Sequence, residues 1–456
     1  MRTRFTIVAI LALAAIGFLM ACSTKYSAGN NGLVVVPSQG SLVMESFSLD
    51  LANGHVSEIN NVNGPYTSGI PSSVILDSAG SFAYVIVYQN PAAPGSSTGI
   101  ASFQVASDGK LATANVIGLN STSPTVTVAC VTPSGTTNIS VGVLATPVVP
   151  VAMAIDSAGK YLFVADAATT GETLPYQCNG ATVSSSVGVP GTVSVFGIGN
   201  GAPTEIAGSP FGLPAQSTVG SGTIGSAASA SALAVTRTAY PTQYSACSLN
   251  TPPTTENLYV TDSVNDVLLN YSVNTSTGAL TPVPLLDGES GIAAGGAPSG
   301  VAVDPCNRFV FVANATSNSV SAYTICNAIS IPTNCQYADF SLQTVTGSPF
   351  AISPGDAPGP ISVDAYGNSL FVVDTASNEV SGFHISPSNG SLTLSGTYPA
   401  GTGANSIAVR GDDSWVFVAN NIAGTVSQYT ITPATGVLSP QGSFSTLNNP
   451  TGVAVK

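Results

Sequence analysis

The sequence predicts an all-β protein, a seven-bladed β-propeller with four-stranded blades. Composition, an internal repeat and the two chain ends each point to this fold. The chain has 456 residues with 47 glycines and 31 prolines, and only 7% of its residues are charged. Such a composition is typical of strands joined by many turns, and a chain of this length favours a repeat architecture with a shared core over a single sandwich.

The repeat unit begins with a short apolar strand that often ends in Asp, followed by a turn and a second strand of aromatic and β-branched residues. A clear copy is Pro298–Asp304, followed by Arg308–Asn314 and a third strand at Asn318–Ile325. A strand containing Gly-x-Leu closes most units, and four such strands are typical of a propeller blade. The first strands begin at seven positions: Ser72, Val151, Ser231, Ser299, Ile361, Ser406 and Thr451.

The chain ends complement each other. The first predicted strand, Gly32–Val36, is of the second type, whereas Pro450–Lys456 is a first strand with no successor. Joining the two completes blade one and removes the sheet edges that an open array would expose. We therefore expect the propeller to span residues 32–456, closed by its C-terminal strand.

The N-terminus has the features of a signal peptide over residues 1–21. Arg2 and Arg4 precede an apolar run, Phe5–Met20, that is short for a membrane span. The run ends in Leu19-Met20-Ala21-Cys22, which resembles the lipobox of bacterial lipoproteins. The resemblance implies an acylated Cys22, a tether over residues 22–31, and an exported protein anchored in the membrane by its lipid, facing the periplasm or the cell exterior. The alternative is an ordinary signal peptide cleaved near Ala21.

The mature chain is strongly acidic. Without Arg2 and Arg4, seven basic residues remain against 22 acidic ones, a formal charge near −15. This charge argues against nucleic acid as a partner.

Six cysteines remain besides Cys22, and an exported chain favours disulfides among them. In a propeller the first-to-second and third-to-fourth turns share one face, while the second-to-third turns and the crossovers between blades share the other. Matching cysteines by face predicts three bridges, although six cysteines allow fifteen pairings. The predicted pairs are Cys130 with Cys178, Cys247 with Cys306, and Cys326 with Cys335.

Charged residues follow most innermost strands and form a predicted ring around the central channel. From blade one they are Lys456, Asp77, Asp156, Arg237, Asp304, Asp364 and Arg410. The ring is either a polar mouth for a ligand or a set of mutual salt bridges between blades. We favour the salt bridges, because neighbouring opposite charges satisfy one another.

Other candidate motifs carry little chemistry. Gly95–Gly99 fits a hydrolase pattern around Ser97 and Gly220–Gly225 fits a dinucleotide pattern, but both lie in loops without the required helix. His55 and His384 lie on outer strands of different blades, so no metal site is predicted. Calcium is an alternative for the Asp or Asn that ends each second strand, although such residues commonly cap turns. These residues are Asp166, Asp262, Asn314, Asp374 and Asn420.

Several repeated segments resemble the YVTN-type and lactonase-like seven-bladed propellers. They are Tyr259–Asp262, the Ala-Asn pairs that end at Asn314 and Asn420, and the Gly-Ser-Pro-Phe copies Gly208–Phe211 and Gly347–Phe350. The resemblance implies the propeller fold and allows a lactonase-like hydrolase related to phosphogluconolactonases.

The residues themselves favour a binding scaffold at the cell envelope that is not an enzyme. Long insertions in blades two to four suit binding of an unknown protein or glycan, and no titratable residues converge in the sequence, so catalytic residues stay unknown. Lactone hydrolysis would need a base and a cation, and the internal arginines are Arg237, Arg308 and Arg410. A structural surface-layer role is a third alternative.

Overall fold

The computed structural model describes most of residues 31–456. Cys22, the predicted signal peptide, Ser97 and Gly220–Gly225 lie outside the described residues, as do Cys247 and Cys335. The segments not described are 1–30, 64–68, 93–97, 120–124, 133–134, 143–148, 179–180, 214–227, 239–254, 284–290, 327–340, 354 and 433–434.

Seven of the nine described sheets are antiparallel blades in a ring, which confirms the predicted fold class. Within the described residues, the helical structure is the 3-10 turn Gln39–Ser41, and no helix is long and apolar enough to cross a membrane. Blades one and two contain β1 (Asn31–Ser38), β2 (Val43–Asp50), β3 (Val56–Asn63), β4 (Ile70–Leu76), β5 (Phe82–Tyr88), β6 (Gly99–Val105) and β7 (Leu111–Gly118).

Blades three and four carry insertions. A separate hairpin, β8 (Thr125–Thr132) and β9 (Gly135–Gly142), precedes blade three, and a second one interrupts it. The remaining strands are β10 (Val149–Ile155), β11 (Tyr161–Ala167), β12 (Thr169–Cys178), β13 (Ala181–Val189), β14 (Thr192–Gly197), β15 (Thr204–Glu205), β16 (Phe211–Gly212), β17 (Ala230–Val235), β18 (Glu256–Asp262), β19 (Val267–Val273), β20 (Leu280–Pro282) and β21 (Gly291–Ala293).

Blades five to seven are more regular. Their strands are β22 (Pro298–Val303), β23 (Phe309–Asn314), β24 (Ser319–Cys326), β25 (Ser341–Thr344), β26 (Phe350–Ala351), β27 (Pro358–Val363), β28 (Ser369–Asp374), β29 (Glu379–Ile385), β30 (Leu392–Pro399), β31 (Ala404–Val409), β32 (Trp415–Asn420), β33 (Thr425–Thr432) and β34 (Val437–Ser445). The last strand, β35 (Ala454–Val455), pairs with β1 of blade one. The C-terminal strand therefore completes the first blade, as the chain ends predict.

The innermost strands contact one another around the ring in the order β35, β4, β10, β17, β22, β27, β31 and back to β35. Hydroxyl groups near their beginnings bond to the next strand: Ser231 Oγ donates to the carbonyl of Pro298 (2.6 Å), and Ser299 Oγ to that of Pro358 (2.6 Å). At the point of closure, Thr451 Oγ1 donates to the carbonyl of Ser72 (3.0 Å). In these three first strands, a small polar residue near the beginning thus joins neighbouring blades.

Apolar side chains fill the space between blades. Phe311 of blade five and Phe383 of blade six belong to one buried cluster, and Phe47 of blade one packs with Phe417 of blade seven. Because burial of apolar surface is the main favourable term in folding, each blade depends on its neighbours. The fold therefore leaves polar chemistry to the channel and the two faces.

Candidate functional site

The two faces of the propeller differ in charge. We call the face with the first-to-second and third-to-fourth turns the turn face, and the face with the second-to-third turns and the crossovers the loop face. All six basic residues beyond residue 30 lie in turns or strand ends of the turn face: Lys110, Lys160, Arg237, Arg308, Arg410 and Lys456. The turn face is therefore where an anion or a developing negative charge could be stabilised.

The acidic members of the predicted ring cap their own turns. Asp77 Oδ1 accepts the backbone N–H of Phe82 (2.9 Å), and Asp156 Oδ1 accepts that of Tyr161 (2.8 Å). Asp304 Oδ2 accepts the N–H of Arg308 (3.0 Å), and Asp364 Oδ1 that of Asn368 (2.7 Å). Each carboxylate thus fixes the turn after its innermost strand, by the same mechanism that makes Asp common in turns.

Contacts between neighbouring blades on this face involve backbone groups at least as much as opposite charges. Arg308 forms a bidentate pair with Asp304, through Nε to Oδ2 (2.9 Å) and Nη2 to Oδ1 (2.7 Å), and Nη2 also donates to the carbonyl of Gly367 in the next blade (2.9 Å). Gly367 has φ +68, and a Cβ there would lie 2.1 Å from Asp304 Oδ1. This position therefore requires glycine, because a side chain would displace the ion pair.

The basic ring members also bond across blade boundaries. Arg410 Nε donates to the carbonyl of Lys456 (3.1 Å), and Lys456 Nζ donates to the carbonyl of Ala79. The backbone of Arg237 bonds twice with the side chain of Asn307, whose Nδ2 lies 2.7 Å from the Arg237 carbonyl oxygen. The predicted ring residues thus lie where blades meet, next to the channel-lining strands.

Asp413 is a buried carboxyl that the sequence did not single out. It lies in the first-to-second turn of blade seven, and its oxygens accept the N–H groups of Ala365 (2.5 Å) and Tyr366 (3.1 Å) in blade six. Burial, together with the nearby charge of Asp364, raises the pKa of Asp413 to about 7. Its left-handed backbone (φ 56) matches that of Asn307 (φ 54) in the equivalent turn. The sequence signal that could have identified it is its place three residues after Arg410, since Asn307 lies three residues after Asp304.

A second buried carboxyl, Asp364, directly precedes the Ala365 that Asp413 contacts. Its side chain is 1% exposed, Oδ2 has no hydrogen-bond partner among the described residues, and burial raises its pKa. A buried carboxyl with a raised pKa is a candidate general base. Arg410 lies three residues before Asp413 in the same turn, so blades six and seven place two buried carboxyls and an arginine at the turn face.

On the loop face, the side chains that end the second strands form hydrogen bonds with nearby strands and crossovers. We call such a side chain a clasp. Asn314 Nδ2 donates to Ser319 Oγ (3.2 Å) and Ser321 Oγ (3.0 Å), while Oδ1 accepts the N–H of Gly295 (3.0 Å). Asn420 makes the equivalent bonds in blade seven, and Asp262 Oδ1 accepts the N–H of Ser229 (2.9 Å) in blade four. These contacts are those of turn and strand caps.

Asp166 and Asp374 occupy the same position but bond less completely. Asp166 Oδ2 accepts Ser194 Oγ (2.7 Å) and Asp374 Oδ2 accepts Ser381 Oγ (2.6 Å), whereas Oδ1 of each has no partner among the described residues. Burial raises the pKa of each carboxyl to about 7. No group of three or more His, Cys, Asp or Glu among the described residues could hold a metal ion.

The predicted histidines and cysteines belong neither to the turn-face residues nor to the loop-face residues described above. His55 is exposed and His384 lies in β29, far along the chain from each other and in different blades. Cys306 and Cys326 are disulfide-bonded. The side chains of Cys130, Cys178, Cys247 and Cys335 lie outside those described, so the three pairings stay predictions.

Comparisons with known proteins agree with this architecture. Residues 246–455 match the family model described as lactonase, 7-bladed β-propeller. No curated protein matches the chain.

Solved structures of similar fold cover nearly the whole chain. A proposed 6-phosphogluconolactonase from Bacteroides fragilis has a TM-score of 0.63 at 14% identity, covering 95% of this chain and 99% of its own. One from Bacteroides uniformis has a TM-score of 0.64 at 14% identity, with 94% and 100% covered. The periplasmic gluconolactonase of Pseudomonas aeruginosa has a TM-score of 0.59 at 15% identity, with 93% and 99% covered. At these identities the similarity is one of fold.

Proposed function

We propose that this protein is a lactonase-type hydrolase that opens sugar lactones. The observation that carries the proposal is the match of residues 246–455 to the lactonase propeller model, because Asp364, Arg410 and Asp413 lie within that segment. The names of the similar structures point the same way. Together they support the lactonase interpretation better than the non-enzymatic scaffold that the sequence favoured.

The chemistry requires a base and a stabilised oxyanion. A carboxylate takes a proton from water while the water oxygen bonds to the lactone carbonyl carbon; the ring C–O bond then breaks, and its oxygen takes up a proton. In our proposal the Asp364–Asp413 pair supplies the base and Arg410 stabilises the negative charge. The burial of both carboxyls suits the first role, since it holds the pKa of Asp413 near 7.

The substrate that best fits this face is an uncharged sugar lactone. Two basic residues described there are held by other groups: Arg308 bonds the buried Asp304, and Lys456 bonds a backbone carbonyl. Arg410, which we assign to the oxyanion, is paired with the half-exposed Asp412. A phosphorylated substrate would compete with these partners and meet a body with a charge near −15. We therefore expect faster turnover of a neutral lactone than of its phosphorylated equivalent.

A panel of neutral and phosphorylated lactones, assayed with purified mature protein with and without calcium, tests the proposal. We expect kcat/KM to rise with pH through a midpoint near 7, as the base loses its proton. Asp413→Asn and Arg410→Ala should each lower kcat by about 100-fold or more, within the range typical of acid–base and electrostatic catalysis.

Asp108→Asn and Lys110→Ala are the matched controls. Asp108 and Lys110 form an exposed ion pair in an outer turn of the same face, 2.7 Å apart, so these variants remove the same charges away from the channel. Circular dichroism and thermal melts establish that every variant is folded. Absence of turnover on the whole panel would contradict the proposal. So would equal activity of the folded Asp413→Asn and Arg410→Ala variants and the control variants. Either result would favour the scaffold interpretation.

A further inference from the structure

Ser369 breaks a packing pattern that three other blades share. In blade six the N–H of Asp364 donates to the carbonyl of Ser369 (2.9 Å), the residue that opens β28. Blades two, three and five have the same backbone bond after their innermost strands, but there the acceptor is aromatic, and its ring packs against a glycine in the third-to-fourth turn of the next blade. The aromatic residues and their glycines are Phe82 with Gly201, Tyr161 with Gly278, and Phe309 with Gly390.

A serine at this position gives up apolar packing. Gly436 of blade seven takes the place of the other glycines, and a Cβ there would lie 2.2 Å from Ser369 Oγ, so the hydroxyl is enclosed between blades six and seven. Ser369 is fully buried. A buried hydroxyl costs free energy unless it forms a hydrogen bond, whereas an aromatic ring would contribute a large apolar area. Such departures from a repeated local rule are expected at functional sites.

The carboxyl of Asp364 is the group that this hydroxyl can bind. Asp364 Oδ1 accepts the N–H of Asn368 (2.7 Å), whereas Asp364 Oδ2 and Ser369 Oγ are both buried without a hydrogen-bond partner among the described residues. Burial raises the pKa of Asp364, and the side chain of Ser369 is among the groups that lower it, so the two side chains are close neighbours. In blade five, Arg308 Nη2 meets the same need by donating to Asp304 Oδ1 (2.7 Å).

The charged groups that act on Asp364 come from both neighbouring blades. Burial and then the charge of Asp364 raise the pKa of Asp413 in blade seven. Burial lowers the pKa of Arg308 in blade five, and its bond to Asp304 and the charge of Asp364 oppose that effect. Asp413 therefore disfavours an ionised Asp364, and Arg308 favours it. Because these two charges act in opposite directions, a hydrogen bond from Ser369 adds directly to the stability of the ionised carboxyl.

We propose that Ser369 is a positioning residue for the Asp364–Asp413 pair, in which its hydroxyl donates to the Asp364 carboxylate and orients it as a base. When Asp364 takes up a proton from water, the bond reverses, and the carboxyl O–H donates to Ser369 Oγ. The catalytic part of this inference rests on the proposed lactonase function, whereas the hydrogen bond between Ser369 and Asp364 does not.

Two pH titrations of the folded Ser369→Ala variant test the proposal. The first follows the Asp364 carboxyl by NMR of protein labelled with ¹³C at the aspartate carboxyls, and Asp364→Asn identifies its signal. We expect the midpoint to rise by about one pH unit in Ser369→Ala, because the ionised carboxyl loses a donor. The second titration measures kcat/KM for the lactone that the wild type opens fastest, and its midpoint should rise by the same amount.

Ser102→Ala is the matched control. Ser102 lies in β6 of blade two, is fully buried, and its Oγ has no hydrogen-bond partner among the described residues, so this variant removes an equally buried hydroxyl and should move neither midpoint. An unchanged carboxyl midpoint in Ser369→Ala would overturn the proposal. A shifted carboxyl midpoint with an unchanged kcat/KM midpoint would overturn the catalytic role of the contact. Absence of lactone turnover would contradict the proposed function and this role with it, while the carboxyl titration would still decide whether the hydrogen bond exists.

Discussion

The turn face and the loop face use similar polar residues for different tasks. On the turn face, Arg308, Asn307 and Asp413 bond to backbone groups of a neighbouring blade. On the loop face, Asn314 and Asn420 instead hold the second and third strands of their own blade together. The difference lies in these side chains: those in the first-to-second turns fix blades to each other, whereas those that end the second strands fix strands within a blade.

The largest effect is expected from breaking a contact between blades. Arg308→Ala removes two hydrogen bonds to Asp304 and one to Gly367, and leaves the Asp304 side chain, which is 0% exposed, without its cation. We expect the free energy of unfolding to fall by about 3–5 kcal/mol, as for other buried pairs that lose one partner. Urea unfolding measures this loss.

Lys110→Ala provides the comparison. Its pair with Asp108 is exposed, with 60% and 44% of the two side chains accessible, so its loss should cost no more than about 1 kcal/mol. Similar, small losses in both variants would contradict the view that Arg308 joins blades five and six.

The seven blades and the split first blade could be predicted because they depend on local patterns: strand periodicity, turn residues and a missing strand at one end. The place of the charged residues directly after the innermost strands could be predicted for the same reason. Their partners could not, because these depend on turn geometry in the adjacent blade. Asp413 reaches Ala365 only because its backbone is left-handed, and Arg308 reaches Gly367 only because that residue lacks a side chain.

The candidate site could not be predicted from the sequence for a related reason. Asp364 and Asp413 belong to different blades and share no motif, so a search for neighbouring titratable residues does not bring them together. The burial that raises the pKa of both carboxyls is a property of packed blades. Sequence reasoning therefore gave more weight to a scaffold than to a hydrolase.

A smaller effect is expected on the loop face from Asn420→Asp. Asn420 Nδ2 donates to Thr425 Oγ1 (3.1 Å) and Ser427 Oγ (2.9 Å), and its side chain is fully buried. A carboxylate at this position would be desolvated with no cation beside it. The free energy of unfolding at pH 8 should therefore fall by about 1–3 kcal/mol. Urea unfolding checks this, with Asn389→Asp as control, since Asn389 Oδ1 accepts the N–H and the hydroxyl of Ser391 in an exposed turn. An unchanged urea midpoint in Asn420→Asp would show that this clasp tolerates charge.

The last effect depends on pH and distinguishes an Asp from an Asn at the end of the second strand; it is expected from Asp374→Asn. Burial, with the added charges of Asp356 and Glu379, raises the pKa of Asp374 to about 7, whereas an unfolded Asp has a pKa of about 3.9. The folded protein therefore holds a proton that the unfolded chain releases, and the stability linked to it is complete below about pH 4 and lost as pH rises through 7. Replacement by Asn, the residue that blades five and seven use, should therefore raise the free energy of unfolding by about 2–3 kcal/mol more at pH 8 than at pH 5, since each pKa unit corresponds to about 1.4 kcal/mol.

Urea unfolding of Asp374→Asn at both pH values measures the difference, with Asp108→Asn as the control of opposite sign. The hydrogen bond from Lys110 lowers the pKa of Asp108, so any stability from that exposed pair is present at neutral pH and lost in acid. If Asp374→Asn changed stability equally at pH 5 and pH 8, Asp374 would be ionised at both, and the clasps of blades six and seven would be equivalent despite their different residues. A larger gain at pH 8 would mean instead that the buried carboxyl is protonated in the folded protein at pH 5, and that its ionisation, with Ser381 Oγ donating to Oδ2, is what costs stability.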